Sequence, residues 1–118
     1  MKTLRKTEKI HSGRPTAEML RRLVQTITSV ARPKRIILFG SAARGEMNDH
    51  SDLDVLVVVP NGVHRNRTCD RIYRKLFGVG FAKDIVVVTE DDVVKYGETP
   101  CMVIHAALKE GLELYRAA

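Results

Sequence analysis

Tryptophan is absent from this 118-residue chain, aromatic residues make up 5% of it, and cysteine occurs twice. Aromatic platforms of the kind that stack single-stranded nucleic acid are therefore scarce. So are the thiols that a disulfide framework or a zinc ribbon requires. Cys69 and Cys101 stand in helix-like patterns without CxxC spacing, which reads as buried, reduced thiols of a cytoplasmic protein. Long apolar runs are missing too. The longest, Val55–Val59, has five residues, far below the roughly 20 of a membrane span. Met1 to Arg14 is mostly Lys, Arg, Thr and Ser, with no apolar core, so no export signal is expected. What is present, 44% hydrophobic and 29% charged residues, fits one ordinary globular domain with a modest core.

The net charge is +6 and unevenly placed. Residues 1–35 hold ten Lys or Arg against Glu8 and Glu18, a local +8, which leaves −2 for residues 36–118. The excess belongs to a flexible basic arm, residues 1–14, and to the helix that follows. Such a cluster either solubilises the chain or steers it toward an acidic surface. Without interleaved aromatics, nucleic acid is not expected as the main ligand.

From Pro15 to Ala31, Leu20, Leu23, Val24, Ile27, Val30 and Ala31 fall at helical spacing, and Pro33 ends the pattern. Arg35 to Phe39 is a short strand closed by Gly40, and Ser41 to Glu46 makes one or two helical turns. Leu53–Val59 is a second strand whose unbroken hydrophobicity calls for cover on both faces. From His64 to Phe77 the apolar positions Cys69, Ile72, Tyr73, Leu76 and Phe77 predict an amphipathic helix with Arg65, Arg67, Arg71, Arg74 and Lys75 on its polar side. Lys83–Thr89 reads as a third strand, and Glu90–Tyr96 as a short helix with acids in its first turn. A last helix is expected over Cys101 to Tyr115, with Met102–Leu108 forming either core or a self-association surface. The fold class is α/β, a small mixed sheet of about three strands flanked by helices. Residues 15–118 are expected to form a single domain.

Asp52 and Asp54 open the most apolar strand, where charge is costly unless something pairs with it. That partner is a basic side chain, a capped backbone or a metal ion. Alternation along a strand points both carboxylates to one side while Leu53 and Val55 point to the other. Such a pair suits Mg²⁺, which is commonly held by one or two carboxylates together with substrate phosphates and water. Upstream, Gly40 lies between a strand and a short helix, a place where backbone can approach a phosphate closely. Ser41 adds a hydroxyl, and Ser51 is placed to orient Asp52. His64 and His105 have no metal-ligand spacing and read as structural.

Gly40-Ser41, ten residues, then Asp52-Leu53-Asp54 resembles the Gly-Ser-x10-Asp-x-Asp signature of the minimal nucleotidyltransferases in the DNA polymerase β superfamily. The fuller string Phe39-Gly40-Ser41-Ala42-Ala43-Arg44-Gly45-Glu46, with Ser51-Asp52-Leu53-Asp54, strengthens the likeness. It extends through Asp84-Ile85-Val86-Val87-Val88 and into the closing Ala107–Tyr115, covering roughly residues 20–115.

The resemblance implies a polymerase-β-like fold in which Gly40 and Ser41 hold the triphosphate of a nucleotide and Arg44 reaches a phosphate. Asp52 and Asp54 would ligate Mg²⁺. Asp84 would complete the metal site and activate the acceptor hydroxyl. No acceptor-holding segment is recognised after Tyr115, so the acceptor is expected on another chain or on a second copy, in a homo- or hetero-oligomer. In the resembling family that chain is commonly a HEPN-type toxin. The small protein is its antitoxin, transferring AMP from ATP to a toxin tyrosine in a type VII-like pair. The alternative is a catalytically idle module that neutralises its partner sterically.

Overall fold

A computed structural model describes residues 13–100 and 102–118. The basic arm up to residue 12 and Cys101 lie outside the described residues. Helix α1 (Ala17–Val30) begins at Thr16, whose hydroxyl accepts the Met19 N–H, satisfying one of the donors a helix start leaves unpaired. Strand β1 (Arg35–Phe39) leads through Gly40 into a single turn, α2 (Ser41–Arg44), and then to β2 (Leu53–Val59). Helix α3 (Arg65–Leu76) crosses over to β3 (Lys83–Thr89), followed by α4 (Glu90–Tyr96), α5 (Val103–Glu110) and β4 (Leu112–Arg116).

The sheet order is β3-β2-β1-β4. β1 runs antiparallel to β2 and β4, while β2 and β3 are parallel. One face of the sheet, through Ile36, Leu38, Leu53, Val55, Val57 and Ile85, packs on Met19, Leu23 and Ile27 of α1 and on Ile72 and Leu76 of α3. The other, through Ile37, Leu56, Val58 and Val88, packs on Ile104 and Ala107 of α5. This two-sided cover is what the unbroken apolar run of β2 demanded.

Two expectations are corrected. The sheet has four strands, because the last helix stops at Glu110 and Leu112–Arg116 is a strand. Leu108, Leu112 and Tyr115 mimic a continuing helical stripe. Gly111, whose N–H closes the helix on the Ala107 carbonyl, turns the chain instead onto the open edge of β1. There the register slips by one between Ile36 and Ile37, and Leu114 and Tyr115 both pack on the first cluster. Glu113 accepts from Arg35 and Arg116, holding the new edge by charge. The buried face of α3 is also rotated from the one expected: Thr68, Ile72 and Leu76 are buried, whereas Phe77 is 89% exposed.

Gly111 is a steric requirement of this turn. A methyl group on it would overlap the Ala107 carbonyl oxygen and Ile37 Cγ2, and would stand 2.9 Å from the Leu38 carbonyl oxygen. Gly111→Ala is expected to destabilise the fold by about 1–3 kcal/mol through overpacking. A lower urea midpoint at unchanged m-value is the reading that checks it.

Candidate active site

At the start of β2 the sheet face that α5 covers further along is left open, and the acids gather there. Asp54, Leu56 and Val58 alternate onto this face, as do Asp84 and Val88 of β3. The parallel register sets Asp54 directly against Asp84, and the antiparallel one sets Asp54 against Phe39. Two carboxylates thirty residues apart in sequence thus become lateral neighbours. Leu53 fixes the depth of this mouth, its N–H bonding the Ala82 carbonyl at 2.9 Å.

Gly40 closes the third side. Its φ of +71° and ψ of −151° lie in a region essentially confined to glycine. A methyl group at this position would overlap Asp54 Oδ2. The backbone and the carboxylate can therefore share this space only because residue 40 has no side chain. Ser41, the first residue of α2, is half-buried beside it.

The electrostatics follow from that crowding. Asp54 is half-buried, and its carboxyl is raised from its ordinary value by burial first, then by the charges of Asp84 and Asp52, with Arg44 pulling the other way. Asp52 and Asp84 are exposed. Among the described residues no three His, Cys, Asp or Glu side chains converge as a ready-made metal cage. The donors present still fit a hard divalent ion. Two adjacent carboxylates would supply its protein ligands, with phosphate and water supplying the rest, and the repulsion that raises Asp54 is what a cation would relieve.

Arg44 takes a course the sequence did not disclose. Its Nε binds Glu46 at 2.8 Å and one NH group binds Glu110 at 2.9 Å, and the two acids push its pKa further up. The guanidinium thus links α2 to the end of α5, close enough to favour the ionised form of Asp54. Ser51 accepts the Asn48 N–H at 3.0 Å and so closes the 48–51 turn. His64 caps α3 through Nδ1, and His105 Nδ1 meets the Gly97 carbonyl oxygen. Both are structural, as expected.

One residue at the site was read only as part of a helix face. Tyr73 of α3 reaches past the outer edge of β3. Its hydroxyl accepts the Ile85 N–H at 2.7 Å and lies 3.5 Å from Asp84 Oδ1. Burial and the Asp84 charge push its phenol up, against the pull of the Ile85 N–H. Cys69, expected buried, is a half-buried free thiol on the same helix, 3.6 Å from the Ile85 carbonyl oxygen. A cleft of about 530 Å³, lined among others by Thr28, Arg32, Pro60 and Arg71, lies at the other end of β2, away from these groups.

Residues 18–114 match the nucleotidyltransferase domain family. Among solved structures, a candidate nucleotidyltransferase from Sulfolobus solfataricus is similar, at 20% identity and a TM-score of 0.58 over 84% of this chain and 78% of that one. At that identity the likeness speaks for the fold, a mixed α/β sheet with flanking helices. A search of curated proteins finds no match. No described helix is long and apolar enough to cross a membrane. With the family matched across most of its length, and with Asp54 and Asp84 meeting beside Gly40 on the open face of its sheet, the chain belongs to the nucleotidyltransferase domain family.

Proposed function

We propose that this chain transfers AMP from ATP, with Mg²⁺, to a hydroxyl of a partner protein. The partner in this reading is a HEPN-type toxin, silenced at a tyrosine by the chain acting as its antitoxin. The observation that carries the chemistry is the meeting of Asp54 and Asp84 beside the glycine that opens α2. The antitoxin assignment is supported by the Phe-Gly-Ser-x-Ala-Arg-Gly-Glu string and the Ser-Asp-Leu-Asp that follows it.

In this reading residues 15–118 act as one transferase unit. Gly40 and Ser41 would receive the triphosphate, and Asp52 and Asp54 would hold Mg²⁺. Bound there, the ion would supply neutralisation of charge on the reacting phosphate and the departing pyrophosphate. Asp84 accepts the proton of the incoming hydroxyl, which lets its oxygen attack the α-phosphorus. Arg44, already joined to Glu46 and Glu110, exchanges a carboxylate for a phosphate oxygen if it is to bind nucleotide.

Incubation with α-labelled ATP, Mg²⁺ and the product of the neighbouring gene is expected to label that product. The Asp52→Asn/Asp54→Asn double variant should leave it unlabelled. No label with the wild-type chain, or equal label with the double variant, sinks the reading. A double variant that labels nothing yet still neutralises its partner would make this a steric binding module.

A further inference from the structure

We propose that Tyr73 is an acceptor in its own right: in the absence of a partner, the chain transfers a nucleoside monophosphate onto its own Tyr73 hydroxyl. The inference rests on the transferase reading given above and goes beyond it by naming a modification site on this chain.

Three observations converge on it. Tyr73 Oη stands 3.5 Å from Oδ1 of Asp84, the carboxylate to which the proposed function gives the acceptor's proton. A phenol oxygen keeps an acceptor lone pair when one is used, so the Ile85 N–H at 2.7 Å fixes the oxygen without exhausting it. Finally, Tyr73 is 37% exposed and forms one wall of an open groove of about 670 Å³, together with Phe77, Val79, Phe81 and Lys83. A ring enlarged by a nucleotide has space to turn into. The other two tyrosines lie elsewhere, Tyr96 on α4 and Tyr115 on β4.

The step balances without further reactants. A lone pair of Tyr73 Oη forms a bond to the α-phosphorus, and the bond from that phosphorus to the bridging oxygen of the β-phosphate breaks. Pyrophosphate departs, the phenolic proton passes to Asp84, and a phosphodiester joins the tyrosine to the nucleoside. Holding nucleophile and base together within one chain makes the reaction unimolecular in protein. Occupied in this way, Asp84 would no longer be open to an outside hydroxyl, so the same event would idle the enzyme when no partner is present.

The test uses the full chain at several concentrations with Mg²⁺ and α-labelled ATP, GTP, CTP or UTP, alone and with the neighbouring-gene product, followed by peptide mapping. Label on the peptide containing Tyr73, accruing per molecule at a rate independent of protein concentration, is the expected result. In Tyr73→Phe self-labelling should fall at least about tenfold, since the nucleophile itself is removed; circular dichroism and melting establish that this variant is folded. Label confined to Tyr96 or Tyr115, or a rate proportional to concentration, overturns the proposal. A labelled partner with bare Tyr73 overturns it while leaving the transferase reading intact. Absence of label on both overturns the two together.

Discussion

Asp54→Asn abolishes most nucleotidyl transfer and at the same time makes the metal-free protein more stable. With Asp54 holding Mg²⁺ as proposed, the loss is expected to reach about 10³-fold, because several kcal/mol of charge stabilisation would pass through this carboxylate and each 1.36 kcal/mol is a factor of ten. The gain follows from linkage. A carboxyl whose folded-state pKa is raised above its unfolded value contributes stability below the unfolded pKa, and that contribution is lost as pH rises through the folded one. Asp54 is raised by burial, Asp84 and Asp52, so its ionised form burdens the native state at neutral pH. The asparagine variant should therefore melt higher than wild type at neutral pH without metal. The advantage should vanish on acidification below the usual carboxylate range. Melting curves against pH, with and without Mg²⁺, check both signs. Wild type alone should gain from the ion, and equal gains in both proteins would remove Asp54 from the metal site.

Gly40→Ala damages both activity and fold. The backbone at φ +71° and ψ −151° costs a non-glycine residue about 1–3 kcal/mol. The added methyl also overlaps Asp54 Oδ2. Either the turn into α2 relaxes or Asp54 swings away, and both displace a reacting group. A misplacement of about 1 Å costs on the order of 10²-fold in rate. The variant should show a lowered urea midpoint together with a kcat reduced by about that factor. Retention of wild-type kcat would mean that the contact between Gly40 and Asp54 has no part in catalysis. Alanine at Gly62, whose surroundings are open, carries only the backbone penalty and serves as the control.

Much of this architecture could be read from the residues, for reasons that differ by element. α1 is legible because Leu20, Leu23 and Ile27 repeat at helical spacing and Pro33 cannot continue it. β2 is legible because five β-branched and aliphatic residues run together with no polar face. The two halves of the site share a spacing, Gly40-Ser41 and Asp52-x-Asp54, that a single turn and one loop can close. Asp84 is visible as a second carboxylate at the head of an apolar strand. What escaped were consequences of tertiary direction. Helical period cannot say that α3 lies so as to bring Tyr73 around the margin of β3. Nor can it distinguish a stripe over Leu108, Leu112 and Tyr115 from a helix followed by a strand, since only the space at Gly111 decides between them. Arg44 carried a legible charge, but Glu110 is sixty-six residues away, and its pull on that charge exists only once α5 is docked.

The engagement of Ile85 by α3 also constrains how another protein can meet this one. Parallel pairing leaves β3 at the border of the sheet, and its Ile85 N–H and carbonyl are taken by Tyr73 and Cys69. A visiting strand cannot extend the sheet through that point by main-chain pairing. The remaining border, β4, lies on the far side of β1 and carries Glu113 and Arg116, charges of the kind that discourage such addition. In the proposed reading, a macromolecule bringing its hydroxyl to Asp84 would meet side chains there, because main-chain pairing at the adjoining Ile85 is already taken.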